Sequence, residues 1–136
     1  MLEKIVSYKR RELSERMLEL PMDELVNQIS ERIRPSFKSA ITKEGINIIA
    51  EIKYRSPSHG SFTCQLPASE LARVYSENGA SAISVLTEKR YFSGELHFLQ
   101  EISEDLDEMP LLRKDFILDR YQVLESRVNG ASACLF

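Results

Sequence analysis

Charged residues stand where two apolar runs end. Ile46-Asn47-Ile48-Ile49-Ala50 closes with Glu51-Ile52-Lys53, and Leu111-Leu112-Arg113 continues into Lys114-Asp115-Phe116. If the first run is a strand, alternation places Glu51 and Lys53 on one face about 7 Å apart, with Ile52 on the other. In the second run the same alternation groups Leu112, Lys114 and Phe116, so a lysine lies beside an aromatic ring. Opposite charges then share one mouth, with a lysine from each run able to serve as an acid. A lysine that must release a proton near neutral pH needs its solution pKa of about 10.4 lowered, by partial burial or by a neighbouring cation. Lys53 and Lys114 on nearby strands could act so on each other. Glu51 opposes the effect on whichever lysine it touches, so its position decides which remains the stronger acid. The plainer alternatives are an edge salt bridge for Glu51 and Lys53, and a lysine snorkelling to water for Lys114.

After the first run comes Tyr54-Arg55-Ser56-Pro57-Ser58-His59-Gly60, in which Ser56 and Ser58 offer hydroxyls in a turn able to hold an anion. The same composition is also ordinary turn chemistry. Tyr91-Phe92-Ser93-Gly94 follows another apolar run and offers an aromatic wall for a flat ligand, or simple packing under a loop. His59 and His97 have no catalytic partner in the sequence, and the acidic run Glu101 to Glu108 reads as a solvated helix end. Cys64 and Cys134 are far apart, with no C-x-x-C or histidine spacing, so the expectation is two free thiols and no metal site.

These residues need elements to hold them. Leu2, Ile5, Val6, Leu13, Met17 and Leu20 are spaced mostly by threes and fours, an amphipathic helix with Lys9-Arg10-Arg11 and Glu15-Arg16 on its other faces. Pro21 interrupts it, and Met22, Leu25, Val26, Ile29 and Ile33 form a second helical set ended by Pro35. Residues 1–44 therefore read as a helical extension. From Gly45 the pattern turns to short β-branched runs separated by helices. A strand at 46–53 is followed by a helix from about Pro67 to Asn78 and a strand at 82–87. A helix near Leu96 to Leu106, a strand at 111–116, a helix from about Asp119 to Asn129 and a last strand from Ala133 complete the series. Alternation at this spacing implies parallel strands with crossover helices, an α/β fold whose sheet is covered on its outer face. No G-x-G-x-x-G or G-x-x-x-x-G-K-[ST] occurs, so a doubly wound nucleotide fold lacks its fingerprint. A barrel is the leading alternative. Eight βα units need roughly 250 residues, and 45–136 supplies three units and a fourth strand, about half of a (β/α)8 barrel.

Composition narrows the class further. Among 136 residues, 18 Lys+Arg against 21 Asp+Glu give a net charge of −3, with 43% hydrophobic and 29% charged residues. This is the balance of a globular domain. Without a basic patch interleaved with aromatics, nucleic acid is not an expected partner. No apolar run approaches the roughly 18 residues of a membrane span and the first residues are charged, so the expected location is the cytoplasm.

Taken together, these blocks resemble one enzyme family. They are Ile49-Ala50-Glu51-Ile52-Lys53 with Ser56-Pro57-Ser58-x-Gly60, then Gly79-Ala80-x-Ala82-Ile83-Ser84-Val85-Leu86-Thr87-Glu88 with Tyr91-Phe92, then Leu112-Arg113-Lys114-Asp115-Phe116-Ile117 with Asp119-x-Tyr121-Gln122. The sequence resembles indole-3-glycerol phosphate synthase, a TIM-barrel family, over the first half of that barrel. Lys4-Ile5-Val6 and Lys9-Arg10-x-Glu12-Leu13 resemble its N-terminal helix. The resemblance implies a cofactor-free lyase of tryptophan biosynthesis. Its substrate would be 1-(2-carboxyphenylamino)-1-deoxyribulose 5-phosphate, decarboxylated and closed to indole-3-glycerol phosphate. It implies Lys114 as the acid at the ketose oxygen, Lys53 as the second lysine at the substrate carboxylate and in the later dehydration, and Glu51 as the group organising the pair. Ser56 and Ser58 would contact substrate, with Phe92, Phe116 and Leu135 as apolar walls.

The match has departures. His59 stands where the family commonly has Lys or Arg, Glu95 where a small hydroxyl residue is usual, and Ser132 where Asp is common. The general-base glutamate and the phosphate-binding turns belong to the family's later strands. The 136-residue chain is therefore expected not to turn over substrate alone, and a complementing C-terminal half or self-association is the expected partnership. A non-catalytic half-barrel assembly module is the alternative. Sibling phosphate-binding barrels of the same pathway, an isomerase or the tryptophan synthase α chain, are disfavoured by Glu51 and Lys53 with Lys114.

Overall fold

The computed structural model describes residues 1–63 and 66–136, so the expected free thiol of Cys64 lies outside the described residues. Three helices come first: α1 (Leu2–Glu19), α2 (Met22–Asn27) and α3 (Phe37–Ile41). The strand β1 (Ile49–Ile52) follows, then a small antiparallel pair, β2 (Arg55–Ser56) and β3 (Gly60–Ser61). The remainder is α4 (Ala68–Glu77), β4 (Ala82–Leu86), α5 (Lys89–Phe92), α6 (His97–Asp105), β5 (Leu111–Lys114), α7 (Arg120–Val128) and β6 (Ala133–Cys134).

The main sheet has the order β1-β4-β5-β6, all parallel. Spatial order thus equals chain order. A doubly wound sheet reverses direction at a switch point, whereas this succession without reversal belongs to a singly wound, barrel-type sheet. Among the described residues it is open, with β1 and β6 at its edges, a partial barrel as the repeat count implied.

The register explains which side chains meet. Glu51 aligns with Ser84, Ser84 with Leu112 and Leu112 with Ala133, so these four share the inner face. Ile52, Val85, Arg113 and Cys134 form the next row and face outward. The outer face is the core: Ile52, Ile83, Val85 and Leu111 pack under Leu71 and Ala72 of α4 and Leu99 and Ile102 of α6, all buried. A smaller cluster of Leu13, Leu25 and Tyr121 joins α1 and α2 to α7. The Tyr121 hydroxyl fixes that contact by donating to the Leu20 carbonyl at 2.8 Å.

The second helix is shorter than its apolar spacing suggested. α2 ends at Asn27, and Ile33, assigned to its apolar stripe, is 90% exposed. Ser30 competes for the backbone, its hydroxyl accepting from the Arg32 N–H at 3.1 Å. The freed Arg32 carbonyl accepts from Arg127 at 2.6 Å. Lys9 departs further from expectation. It lies on the buried face with Ile5 and Leu13, fully buried itself, rather than on a polar face. Among the described residues no helix is long and apolar enough to cross a membrane.

Candidate active site

The C-terminal ends of the strands converge on a cavity of about 160 Å³ lined by Lys53, Leu86, Glu88, Phe92, Lys114, Asp115, Phe116 and Leu135. Leu86 aligns with Lys114, so the inner-face row after Glu51 and Ser84 carries a lysine from β5. Lys114 Nζ donates to Glu51 Oε2 at 2.6 Å, and Lys53 Nζ lies 3.6 Å from Glu51 Oε1. One carboxylate therefore stands between two ammonium groups, closer to Lys114. All three side chains are partly exposed toward the mouth. The Phe62 ring lies under Lys53, 5.5 Å from its Nζ.

Of the eight residues singled out from the sequence, six meet here. Lys53, Lys114, Phe92, Phe116 and Leu135 line the cavity, and Glu51 bridges the lysines. The Phe92 and Phe116 rings sit 6.4 Å apart between centroids, tilted by 41°. Ser56 and Ser58 are not on this wall. Ser56 is buried in β2, where its hydroxyl accepts from the His59 N–H at 3.2 Å, while the exposed Ser58 hydroxyl contacts the His59 ring at 2.8 Å.

Two charged residues of the cavity, besides the apolar Leu86, are not among those eight. Glu88 is fully buried, and its carboxylate caps α5 by accepting from the N–H groups of Arg90, Tyr91 and Phe92. Glutamate is not among the favoured capping residues, which hides it from a motif search. Its position two residues after the apolar strand and just before an aromatic pair was the available signal. Asp115 is the other. Its side chain is completely buried, with Oδ1 3.0 Å from Lys9 Nζ and Oδ2 3.1 Å from Arg113 Nη2. Burial pushes this carboxyl up, but attraction to Arg113 and Lys9 and hydrogen bonds from Thr87 and Lys9 outweigh it, leaving it below its ordinary value. Cys134, facing outward beside Arg113, is a free thiol pushed up by burial. No cluster of metal-ligating side chains occurs among the described residues.

A singly wound parallel sheet with charged groups gathered at its C-terminal mouth defines the class of barrel enzymes whose chemistry lies at the strand ends. The comparisons make this specific. The family model described as indole-3-glycerol phosphate synthase matches residues 2–136. Relatives of that name include one from Thermoanaerobacter sp. (strain X514), 42% identical over 135 residues, covering 99% of this chain and 52% of the relative. Another, from Carboxydothermus hydrogenoformans, is 42% identical over 142 residues, covering 98% and 53%. A third, from Endomicrobium trichonymphae, is 51% identical over 100 residues, covering 74% and 38%. The chain belongs to the indole-3-glycerol phosphate synthase family. It spans about half the length of the first two relatives.

Proposed function

We propose that the chain supplies the acid half of an indole-3-glycerol phosphate synthase active site, in the cytoplasm. The observation that carries the reading is the Lys114–Glu51–Lys53 constellation at the aromatic-walled mouth. The reaction attacks the substrate's ketose carbonyl with an aromatic carbon, loses carbon dioxide from that carbon and then eliminates water. Negative charge develops on the carbonyl oxygen during attack, and a cation held against that oxygen stabilises it. Lys114 is assigned this role and gives the oxygen its proton. Glu51 orients Lys114 through the short hydrogen bond and restrains Lys53. Lys53 receives the substrate's carboxylate and assists the dehydration, while Phe92, Phe116 and Leu135 enclose its ring. Ser56 and Ser58 contact substrate only if the β2–β3 turn folds over the mouth when it binds.

The general base and the phosphate grip are assigned to a complementing C-terminal half barrel on the uncovered inner face. Association with a second copy of the chain is the competing arrangement, favoured by the same open sheet edges. The test is a fluorescence assay for indole-3-glycerol phosphate, run on the 136-residue chain alone and then mixed with the C-terminal half of a relative. Activity is expected only in the mixture, and Lys114→Ala is expected to lower its kcat by about 10²- to 10⁴-fold with little change in substrate affinity. Turnover by the chain alone, or unchanged turnover with Lys114→Ala, would remove the assignment.

A further inference from the structure

A concentration of uncompensated charge lies at the other end of the strands. A cavity of about 570 Å³ opens between residues 33–38, which run into the first turn of α3, the last turn of α7 and residues 131–133 at the start of β6. Arg34, Lys38 and Arg127 line it, and no aspartate or glutamate does. Among the described residues none of the three makes an ion pair. Arg127 is held by backbone oxygens alone, donating to the Arg32 carbonyl at 2.6 Å and the Ser30 carbonyl at 3.5 Å. The nearby Asp107 is engaged by Arg32 at 2.9 Å. Arg34 is the least satisfied: its Nε and Nη2 are shut off from solvent, and no described residue accepts a hydrogen bond from either.

A guanidinium cannot relieve such a position by giving up its proton in the physiological range. Burial and repulsion from Arg32 and Arg127 both act against its charge, and Asp107 offsets them only partly. Unpaired charge that has lost its water is costly, and an oxyanion accepting from the planar fork of N–H groups relieves it. Ser36 and Ser132 add hydroxyls to the same walls. We propose that Arg34, Arg127 and Lys38 form an oxyanion-binding site at the N-terminal end of the sheet, separate from the lysine mouth. The shared chemistry is a small group with two or more acceptor oxygens, carried either by a free phosphate or by a carboxylate side chain of polypeptide packed along β6.

The test is a titration of the ¹⁵N-labelled 136-residue chain, following the Ser36 and Ser132 backbone amides, which line the same cavity and persist in every variant, in sodium phosphate, sodium acetate and sodium chloride at matched ionic strength. A saturable shift with phosphate is expected, weakened by about tenfold or more in Arg34→Met, which keeps the apolar stem. A weaker decrease is expected in Arg127→Met, whose circular dichroism serves as the control should Arg34→Met unfold. Saturation by acetate in preference to phosphate would assign the site to a polypeptide carboxylate. Shifts with both anions no different from those with chloride would overturn the proposal.

Discussion

Asp115 is the residue through which the first helix reaches the mouth. Oδ1 lies 3.0 Å from Lys9 Nζ and accepts from the Phe116 N–H at 2.8 Å, while Oδ2 accepts from Thr87 at 2.6 Å and Arg113 at 3.1 Å. Every torsion of this carboxylate is spoken for, and the backbone between Lys114 and Phe116 is fixed with it. A carboxyl held below its ordinary value binds fewer protons folded than unfolded between the two values. Its stabilisation is therefore complete above the unfolded value of about 3.9 and is lost as pH falls through the folded value. Removing one partner of a buried pair leaves the other with less compensation, Asp115 keeping Arg113 and Lys9 keeping Glu12, so Lys9→Met and Asp115→Asn are each expected to cost about 3 kcal/mol or less at pH 7. The double variant should cost less than their sum. Urea denaturation across a pH series checks this: the coupling should be flat from pH 7 to about 4 and shrink below it. A coupling that persists undiminished to the acid limit, or none at pH 7, would refute the account. The sequence concealed this pair because lysine on an amphipathic helix normally marks the wet side. The spacing of Ile5, Lys9 and Leu13 by four was the one legible sign that Lys9 faces inward.

The element that shapes the aromatic wall is α5, one turn that cannot stabilise itself by length. Glu88 does that work, receiving Tyr91 at 2.7 Å, Phe92 at 3.1 Å and Arg90 at 3.2 Å. The turn then leaves through Ser93 at φ 53° and packs Gly94 so closely on β4 that a Cβ there would strike the Leu86 carbonyl. Glu88→Ala would leave three N–H groups without acceptors, an expected loss of about 1–2 kcal/mol, with Glu88→Gln recovering most of it. Thermal melts rank the three proteins; equal melting temperatures would mean that α5 is held by something else. The repeating elements were readable because each β-branched run is bounded by Gly, Pro or Asn and each long helix has a periodic apolar stripe. β4 and α4 accordingly lie within one residue of expectation. α3, α5 and the β2–β3 pair were not readable. They are two to five residues long and are fixed by contacts such as the Ser36 cap on Ser39 and the Glu88 cap, which periodicity does not register. The mouth was legible for a related reason. Alternation groups Glu51 with Lys53 and separates Lys114 from its neighbours, whereas it turns Asp115 outward with Arg113, and Glu88 enters the cavity two residues beyond β4.

The whole molecule presents two unequal faces of one sheet. Helices bury the outer face, while on the inner face Ile49 is 43% exposed and Leu135 48% exposed, at opposite edges. Apolar side chains beside unpaired strand backbone favour addition of further strands, because a joining strand satisfies the hydrogen bonds and removes apolar surface together. β6, only two residues long, presents little edge, whereas β1 offers four residues with Ile49 at its start. Assembly should therefore be more sensitive to β1 than to the helical surface. Analytical ultracentrifugation of the chain with the C-terminal half of a relative is expected to give a one-to-one complex that displaces any self-association. Ile49→Lys should weaken that complex by more than about tenfold, since it buries an unpaired charge at the new strand junction. Val74→Lys, on the exposed flank of α4, should leave it unchanged. Equal weakening by both would indicate general destabilisation. Tight assembly despite Ile49→Lys would mean that the second half docks elsewhere than on β1.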